Sequence, residues 1–141
     1  MTLQELKSAA SKLLIATRSF VESGLNVQTI CFIFQANGPM LISPTPLENT
    51  HHKEWMTQEL IRISKLSNVE GVVWIGDAWS LQVKDAEEML TVIQEGIANH
   101  PLRREALSVT VLAQGSVVST AEQRYQRDPI RWEILEWSDT Q

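Results

Sequence analysis

The sequence predicts an α+β fold with a mostly antiparallel sheet, and three observations lead to this prediction. Two pairs of strand-like segments are each joined by a short turn containing glycine, which indicates hairpins. Few strands could have parallel neighbours, which favours a mostly antiparallel sheet of five to six strands. Helical segments interrupt the strands in the order αββαβαβββ, and we expect them to pack mainly on one face of the sheet.

The boundaries of these elements follow from capping residues, periodicity and turns. A capping residue precedes each of the three apolar segments that have helical periodicity. These residues are Thr2 with Glu5, Asn49 or Thr50, and Asp85 with Glu88. Segments rich in β-branched and aromatic residues predict strands, and Asn37-Gly38 and Gln114-Gly115 supply two turns. The predicted elements are helices over 2–23, 50–66 and 85–99, and strands over 27–35, 40–43, 72–83, 105–112, 116–123 and 130–137.

The composition is that of a folded globular protein. The chain has 141 residues, of which 43% are hydrophobic and 21% are charged, and we expect a single domain over 1–141. Twelve basic and 17 acidic residues give a net charge of −5. This balance argues against nucleic-acid binding, because contacts with phosphates need a basic surface.

No segment has the pattern of a secretory signal or the apolar length of a membrane span, so we expect a cytoplasmic protein without a membrane partner. The single cysteine, Cys31, excludes an intrachain disulfide. Since Cys31 lies in the apolar run ICFIF, we expect it to be a buried hydrophobic side chain.

The stretch VVWIGDAWS, residues 72–80, places Asp77 in a strand that is apolar on both sides. An ionised carboxylate in such surroundings needs a partner. Asp77 could accept hydrogen bonds from backbone N–H groups where Gly76 permits a bulge or a close approach, or it could be a functional acid facing a cleft. We favour the structural role, because a lone carboxylate is a weak sign of a catalytic site.

Arginines at the start of the next strand are candidate ionic partners for this carboxylate. Arg103 or Arg104 can pair with Asp77 or with Glu105 across neighbouring strands. Such a pair would keep Asp77 ionised.

Motifs for metal binding, phosphate binding or nucleophilic catalysis are missing from the sequence. His51 and His52 are adjacent, so they point in different directions and cannot chelate a metal as an i, i+4 pair would. Neither a zinc-type Cys/His spacing nor a glycine-rich phosphate loop nor a nucleophile elbow occurs. We therefore expect no metal site and no cofactor.

Five tryptophans are many for this length, against one tyrosine and three phenylalanines. Trp132 and Trp137 are expected on opposite faces of the last strand, so one core cannot hold both. That strand is a candidate edge strand, and an exposed tryptophan there invites pairing with another chain. We expect Trp79, Trp132 and Trp137 to form a partner interface, and a symmetric dimer is favoured. A sheet covered within the monomer is the alternative.

Two short motifs resemble a group of small uncharacterised bacterial proteins. One is Gly-Asp-Ala-Trp over 76–79, within an apolar strand after a helix, and the other is HPLRREAL over 100–107. Where the group usually has glutamate, this chain has Asp77. The resemblance covers most of the chain from the second helix onward. It supports the layout of elements and implies no activity.

Two functions of different classes follow from these observations. The first is a non-enzymatic module that recognises a protein partner and self-associates, as the tryptophans, the edge strand and the missing catalytic motifs suggest. The alternative is a small hydrolase-like enzyme. Its site would combine Asp77 with Arg103 or Arg104 and a loop histidine, for which His52 is a candidate.

Overall fold

The computed structural model describes residues 1–45 and 50–140. The helices of this part are α1 (Leu3–Glu22), α2 (Thr50–Ser64) and α3 (Ala86–Glu95), and a short 3-10 turn covers Ile97–Asn99. The strands are β1 (Ile30–Gln35), β2 (Leu41–Pro44), β3 (Val69–Ser80), β4 (Arg104–Ala113), β5 (Ser116–Gln126), β6 (Arg131–Trp132) and β7 (Glu136–Asp139). The predicted α+β class is confirmed.

The strands form one sheet in the order β2-β1-β3-β4-β5, and both β6 and β7 pair with the outer edge of β5. Every strand pair is antiparallel. The two predicted hairpins are β1–β2 and β4–β5. At the second hairpin, Gln114 and Gly115 both have positive φ, as the tight turn requires.

Helix α1 packs on one side of the sheet, which we call the α1 face. The hydroxyl of Thr2 and the carboxylate of Glu5 complete the predicted capping box. Leu6, Leu14 and Val21 are buried against alternate residues of the central strands. The sheet residues of this core are Phe32, Val73, Ile75, Leu107, Val109, Val111, Ala121 and Tyr125.

Helix α2 packs on the opposite side, which we call the α2 face. Leu60 is buried there against Cys31, Val72 and Leu112. The helices are therefore divided between the two faces instead of packing mainly on one, which corrects that part of the prediction. The physical reason is that adjacent residues of β3, Val72 and Val73, are both apolar and fully buried, so each side of the strand needs a cover.

The predicted last strand over 130–137 is in fact two short strands. Tyr125 pairs with Trp132, and Ala121 pairs with Trp137. From Tyr125 to Ala121, β5 spans four residues, whereas from Trp132 to Trp137 the paired segment spans five. The one extra residue shifts the alternation of side chains by one position. Trp132 and Trp137 therefore lie on the same α1 face, and the prediction that they face opposite ways is wrong.

Three predicted element ends also shift. Strand β3 begins three residues earlier than expected, at Val69, and ends at Ser80 instead of residue 83. Helix α3 ends at Glu95, because Gly96 adopts a left-handed φ of 84° and leads into the 3-10 turn. The predicted cap of α2 at Asn49 lies outside the described residues.

The two neighbours Leu14 and Ile15 of α1 test the assignment of the buried side. Leu14 is 1% exposed and Ile15 is 61% exposed. We expect Leu14→Ala to lower the free energy of unfolding by about 2–5 kcal/mol, because it leaves a cavity in the core. Ile15→Ala, the matched control, should change it by no more than about 0.5 kcal/mol. Urea unfolding followed by circular dichroism measures both, and equal losses would contradict the assignment.

Candidate functional site

Gly76 marks the point where the sequence predicted a bulge or a close approach. A side chain at this position would bring its Cβ to 2.9 Å from Oγ1 of Thr29, so glycine permits the close approach of the chain preceding β1. The pairing of β3 with β4 continues without a register shift from Val72 to Ser80. The close approach is thus confirmed, and Gly76 produces no bulge against β4.

Asp77 lies on the α1 face but is exposed to solvent. Within residues 1–45 and 50–140, its carboxylate has neither a hydrogen bond nor an ion pair, so the expected backbone N–H or arginine partner is missing. The expectation rested on a buried position, whereas β3 loses its cover directly after Gly76. Asp77 lines a small cavity of about 240 Å³ together with Trp79, Glu105 and Tyr125.

The arginines near this strand have other partners. Arg104 forms an ion pair with Glu133. The guanidinium of Arg103 lies 4.6 Å from the ring centre of Trp79, a cation–π contact beside Asp77. Glu105 is paired with Arg127, whose Nε donates to Oε2 at 2.6 Å.

The hydrolase hypothesis combined Asp77 with Arg103 or Arg104 and a loop histidine; Arg103 contacts Trp79 near Asp77, but Arg104 and His52 do not join Asp77 on one face. Asp77 belongs to the α1 face, whereas strand alternation directs Arg104 to the α2 face. His52 lies in the first turns of α2, and its ring is 6.1 Å from that of Trp55. Among the residues that the sequence singled out, Trp79 and Glu105 lie beside Asp77, and Arg103 lies over the ring of Trp79.

Among the described residues, no group of three or more His, Cys, Asp or Glu side chains could hold a metal ion. In the same part of the chain, none of the helices has both the length and the apolarity needed to cross a membrane. Cys31 is buried as predicted, and this burial raises the pKa of its thiol to about 11.

Trp132 and Trp137 are half-buried beside α1. The indole N–H of Trp132 donates to Glu22 at 3.0 Å, and the guanidinium of Arg18 lies over the same ring. The ammonium of Lys7 lies 5.1 Å from the ring centre of Trp137. Both rings therefore contact the helix of their own chain. Trp79, which is 42% exposed, is the predicted interface residue that stays most open to solvent.

Helix α3 presents an apolar surface, although the sequence predicts that the helices pack on the sheet. Asp85 caps the helix by accepting from the N–H of Glu88 at 2.8 Å, as predicted. None of the helix residues is buried, and Met89, Leu90 and Ile93 are 44%, 60% and 69% exposed. We call these three side chains the α3 surface. Amphipathic periodicity indicates the helix correctly, but it cannot say whether the same chain covers the apolar side.

A second cavity, with a volume of about 720 Å³, lies mainly on the α2 face near the start of α2, where Lys53 borders it. Two rows of side chains, paired across β3, β4, β5 and β7, form its floor. The first row is Gly76, Ser108, Glu122 and Glu136, and the second is Trp74, Thr110, Thr120 and Ser138. We call this site the row cavity.

Sequence reasoning missed the row cavity. The alternation of polar and apolar residues in 105–112 was visible, but it predicted only a polar side of a strand. Residues of four strands form one row only if the strands pair in a particular register. The alternation of polar and apolar residues within each strand does not determine that register.

Comparison of the chain with protein-family models, with curated protein sequences and with solved structures gave no significant match.

Tyr125, next to Asp77, allows a direct test of the surroundings of this carboxylate. Burial raises the pKa of Tyr125 above its ordinary value of 10.0, the Glu105 carboxylate raises it further, and Arg127 acts in the opposite direction. Because the folded-state pKa is the higher one, the stabilising contribution is fully present below the unfolded-state pKa. It is lost as the pH rises through the folded-state value.

Tyr125 is the only tyrosine of the chain, so the absorbance of tyrosinate reports on it alone. We expect its titration midpoint to lie above 10 in the folded protein, and Glu105→Gln to lower that midpoint. Glu95→Gln, on the exposed end of α3, serves as the control and should leave the midpoint unchanged. A midpoint that Glu105→Gln leaves in place would contradict the described contact.

Proposed function

We propose that the protein is a non-enzymatic interaction module that binds a partner protein through the α3 surface. The observation that supports this proposal is the lack of any buried residue in α3, although the helix is amphipathic. Exposed apolar side chains that form a contiguous strip, such as Met89, Leu90 and Ile93, are typical of surfaces that bind another molecule.

The energetics of a short helix support the same function. A helix of ten residues is marginal in water without tertiary packing, so α3 depends on its caps at Asp85 and Gly96. Burial of a leucine or isoleucine side chain contributes about 1.5–3 kcal/mol. A partner that covers Leu90 and Ile93 would therefore stabilise both the complex and the helix, as in helix-in-groove recognition.

The charges of α3 indicate the chemistry of the partner. Glu87, Glu88 and Glu95 are acidic, and the helix contains no basic residue. A partner segment with an apolar side flanked by lysine or arginine would complement this helix. Two copies of α3 packed together would bring like charges close, so the predicted homo-oligomer, which stays a prediction, would need another surface.

The geometry does not favour the hydrolase alternative. Asp77 and Arg104 point to opposite faces of the sheet, and Arg104 is already paired with Glu133. Arg103 lies over Trp79 near Asp77, but His52 belongs to α2, which packs on the other face. A general acid–base pair has to reach the same substrate atom or an adjacent one.

A synthetic amphipathic helix of leucine and lysine tests the proposal directly. We expect this labelled peptide to bind the protein in a fluorescence anisotropy titration, with a dissociation constant on the order of micromolar. Leu90→Gln combined with Ile93→Gln should weaken binding at least about tenfold, because it removes apolar contact without introducing charge. The matched control is Thr91→Gln, which changes an exposed residue on the opposite side of α3 and should leave binding unchanged.

Further controls distinguish specific binding from adhesion. A leucine–glutamate peptide of the same length should bind much more weakly, because its charges repel those of α3. Equal binding of both peptides, or equal loss in the double variant and in Thr91→Gln, would contradict the proposal. Light scattering at several protein concentrations tests self-association separately.

A further inference from the structure

The row cavity is a candidate binding site for a small molecule, which is a role separate from that of the α3 surface. Its volume of about 720 Å³ falls within the range of roughly 300–1,000 Å³ that is typical of small-molecule sites. Lys53 of α2 and Ile97 of the 3-10 turn border it, while the sheet forms its floor.

The cavity exists because small side chains occupy the part of the α2 face that α2 leaves uncovered. Under α2, the sheet presents large apolar residues such as Val72 and Leu112. Further along β3 and β4, Gly76, Ala78 and Ser108 follow on the same face. The change from large apolar to small residues provides space and ends the hydrophobic packing at the same point.

The floor of the row cavity is rich in hydroxyl groups. Ser108 donates only a long hydrogen bond of 3.4 Å to the carbonyl of Gly76. For the hydroxyls of Thr110, Thr120 and Ser138, the described part of the chain supplies no hydrogen-bond partner. Since each hydroxyl can both donate and accept, these groups are available to a polar ligand.

The carboxylates of the first row determine the charge of that ligand. Glu122 and Glu136 stand directly opposite each other on β5 and β7, where like charges repel. Glu136 is paired with Arg124 at 2.7 Å, whereas Glu122 has no ion-pair partner within the described residues. The half-buried carboxylate of Glu122 therefore lines the cavity without an ion-pair partner in the described residues, while Lys53 is the cation at the border of the same cavity.

Trp74 supplies the apolar part of the site. Its indole N–H donates to the hydroxyl of Thr45 at 2.9 Å, which fixes the ring at the side of the cavity opposite β7. Adjacent strands are about 4.8 Å apart, so β3 and β5 are separated by about 10 Å. A short carbon chain can thus extend from Glu122 across β4 to Trp74.

We propose that the row cavity binds a small primary amine in its ammonium form. The ammonium group donates to the carboxylate of Glu122 and to a neighbouring hydroxyl of Ser108 or Thr120, and the carbon chain lies toward Trp74. A carboxylate alone on a strand would be an ordinary surface group. The half-open cavity, the hydroxyls of Ser108 and of the second row, and the indole wall are what make this position a site.

The n-butylammonium ion is a suitable probe, with n-butanol and butyrate as controls of the same carbon skeleton. Amide chemical shifts of the labelled protein are followed by NMR during each titration. We expect saturable shifts with butylammonium, at a dissociation constant on the order of millimolar, for residues of β4, β5 and β7 that line the cavity. Butanol and butyrate should give much weaker shifts in the same residues.

Three variants locate the binding. Glu122→Gln should weaken butylammonium binding at least about tenfold, because it removes the charge-assisted hydrogen bond. Glu87→Gln removes the same charge from α3 and should have no effect. Thr120→Trp should block the cavity sterically while keeping Glu122, and it should leave the fold intact because Thr120 is exposed.

The melting temperature of each variant shows whether it is folded. Binding that is equal for butylammonium, butanol and butyrate would overturn the proposal, since it would then be independent of charge. So would shifts that map outside the row cavity, or binding that survives both Glu122→Gln and Thr120→Trp.

Discussion

The burial of β3 on both sides is the constraint on which the rest of the structure depends. Val73 and Ile75 pack under α1, while Val72 and Trp74, which alternate with them, belong to the core on the α2 face. A strand that is apolar on both faces needs a cover on each of them. It therefore lies in the centre of the sheet, with one helix on each side. The split of the helices between two faces and the position of β1 and β4 beside β3 follow from this single strand.

Both polar features of the sheet lie next to Gly76, where the double cover of β3 weakens. On the α1 face, Asp77 is exposed because α1 does not extend over it. On the α2 face, Gly76 and its cross-strand neighbour Ser108 leave open the row cavity. One glycine thus separates the part of β3 that stabilises the fold from the part that is available for binding. The uncovered residues contribute little to the core, so their polar groups are available to bind a ligand.

The sequence predicts the elements well where the signal is local. The caps of α1 and α3 and the turn at Gln114-Gly115 are set by neighbouring residues, and each is confirmed. Prediction fails where a distant partner decides. The extra residue between Trp132 and Trp137 is defined only against β5, and the row cavity requires four strands in register. The exposure of α3 likewise depends on whether other elements of the fold cover its apolar side. The periodicity of the helix itself does not show this.

Trp132 and Trp137 have a structural role within their own chain, which makes them weaker candidates for a partner interface. Trp132 lies beside the C-terminal half of α1, near Arg18, and Trp137 lies beside the N-terminal half, near Lys7. Lys7 also contacts Asp139, whose pKa is lowered by a hydrogen bond from Ser119 and by this ammonium. The two rings thus hold α1 on the sheet at both ends. Both indoles already contact α1 of their own chain, whereas the apolar side chains of α3 are uncovered, so α3 is the better candidate for a partner interface.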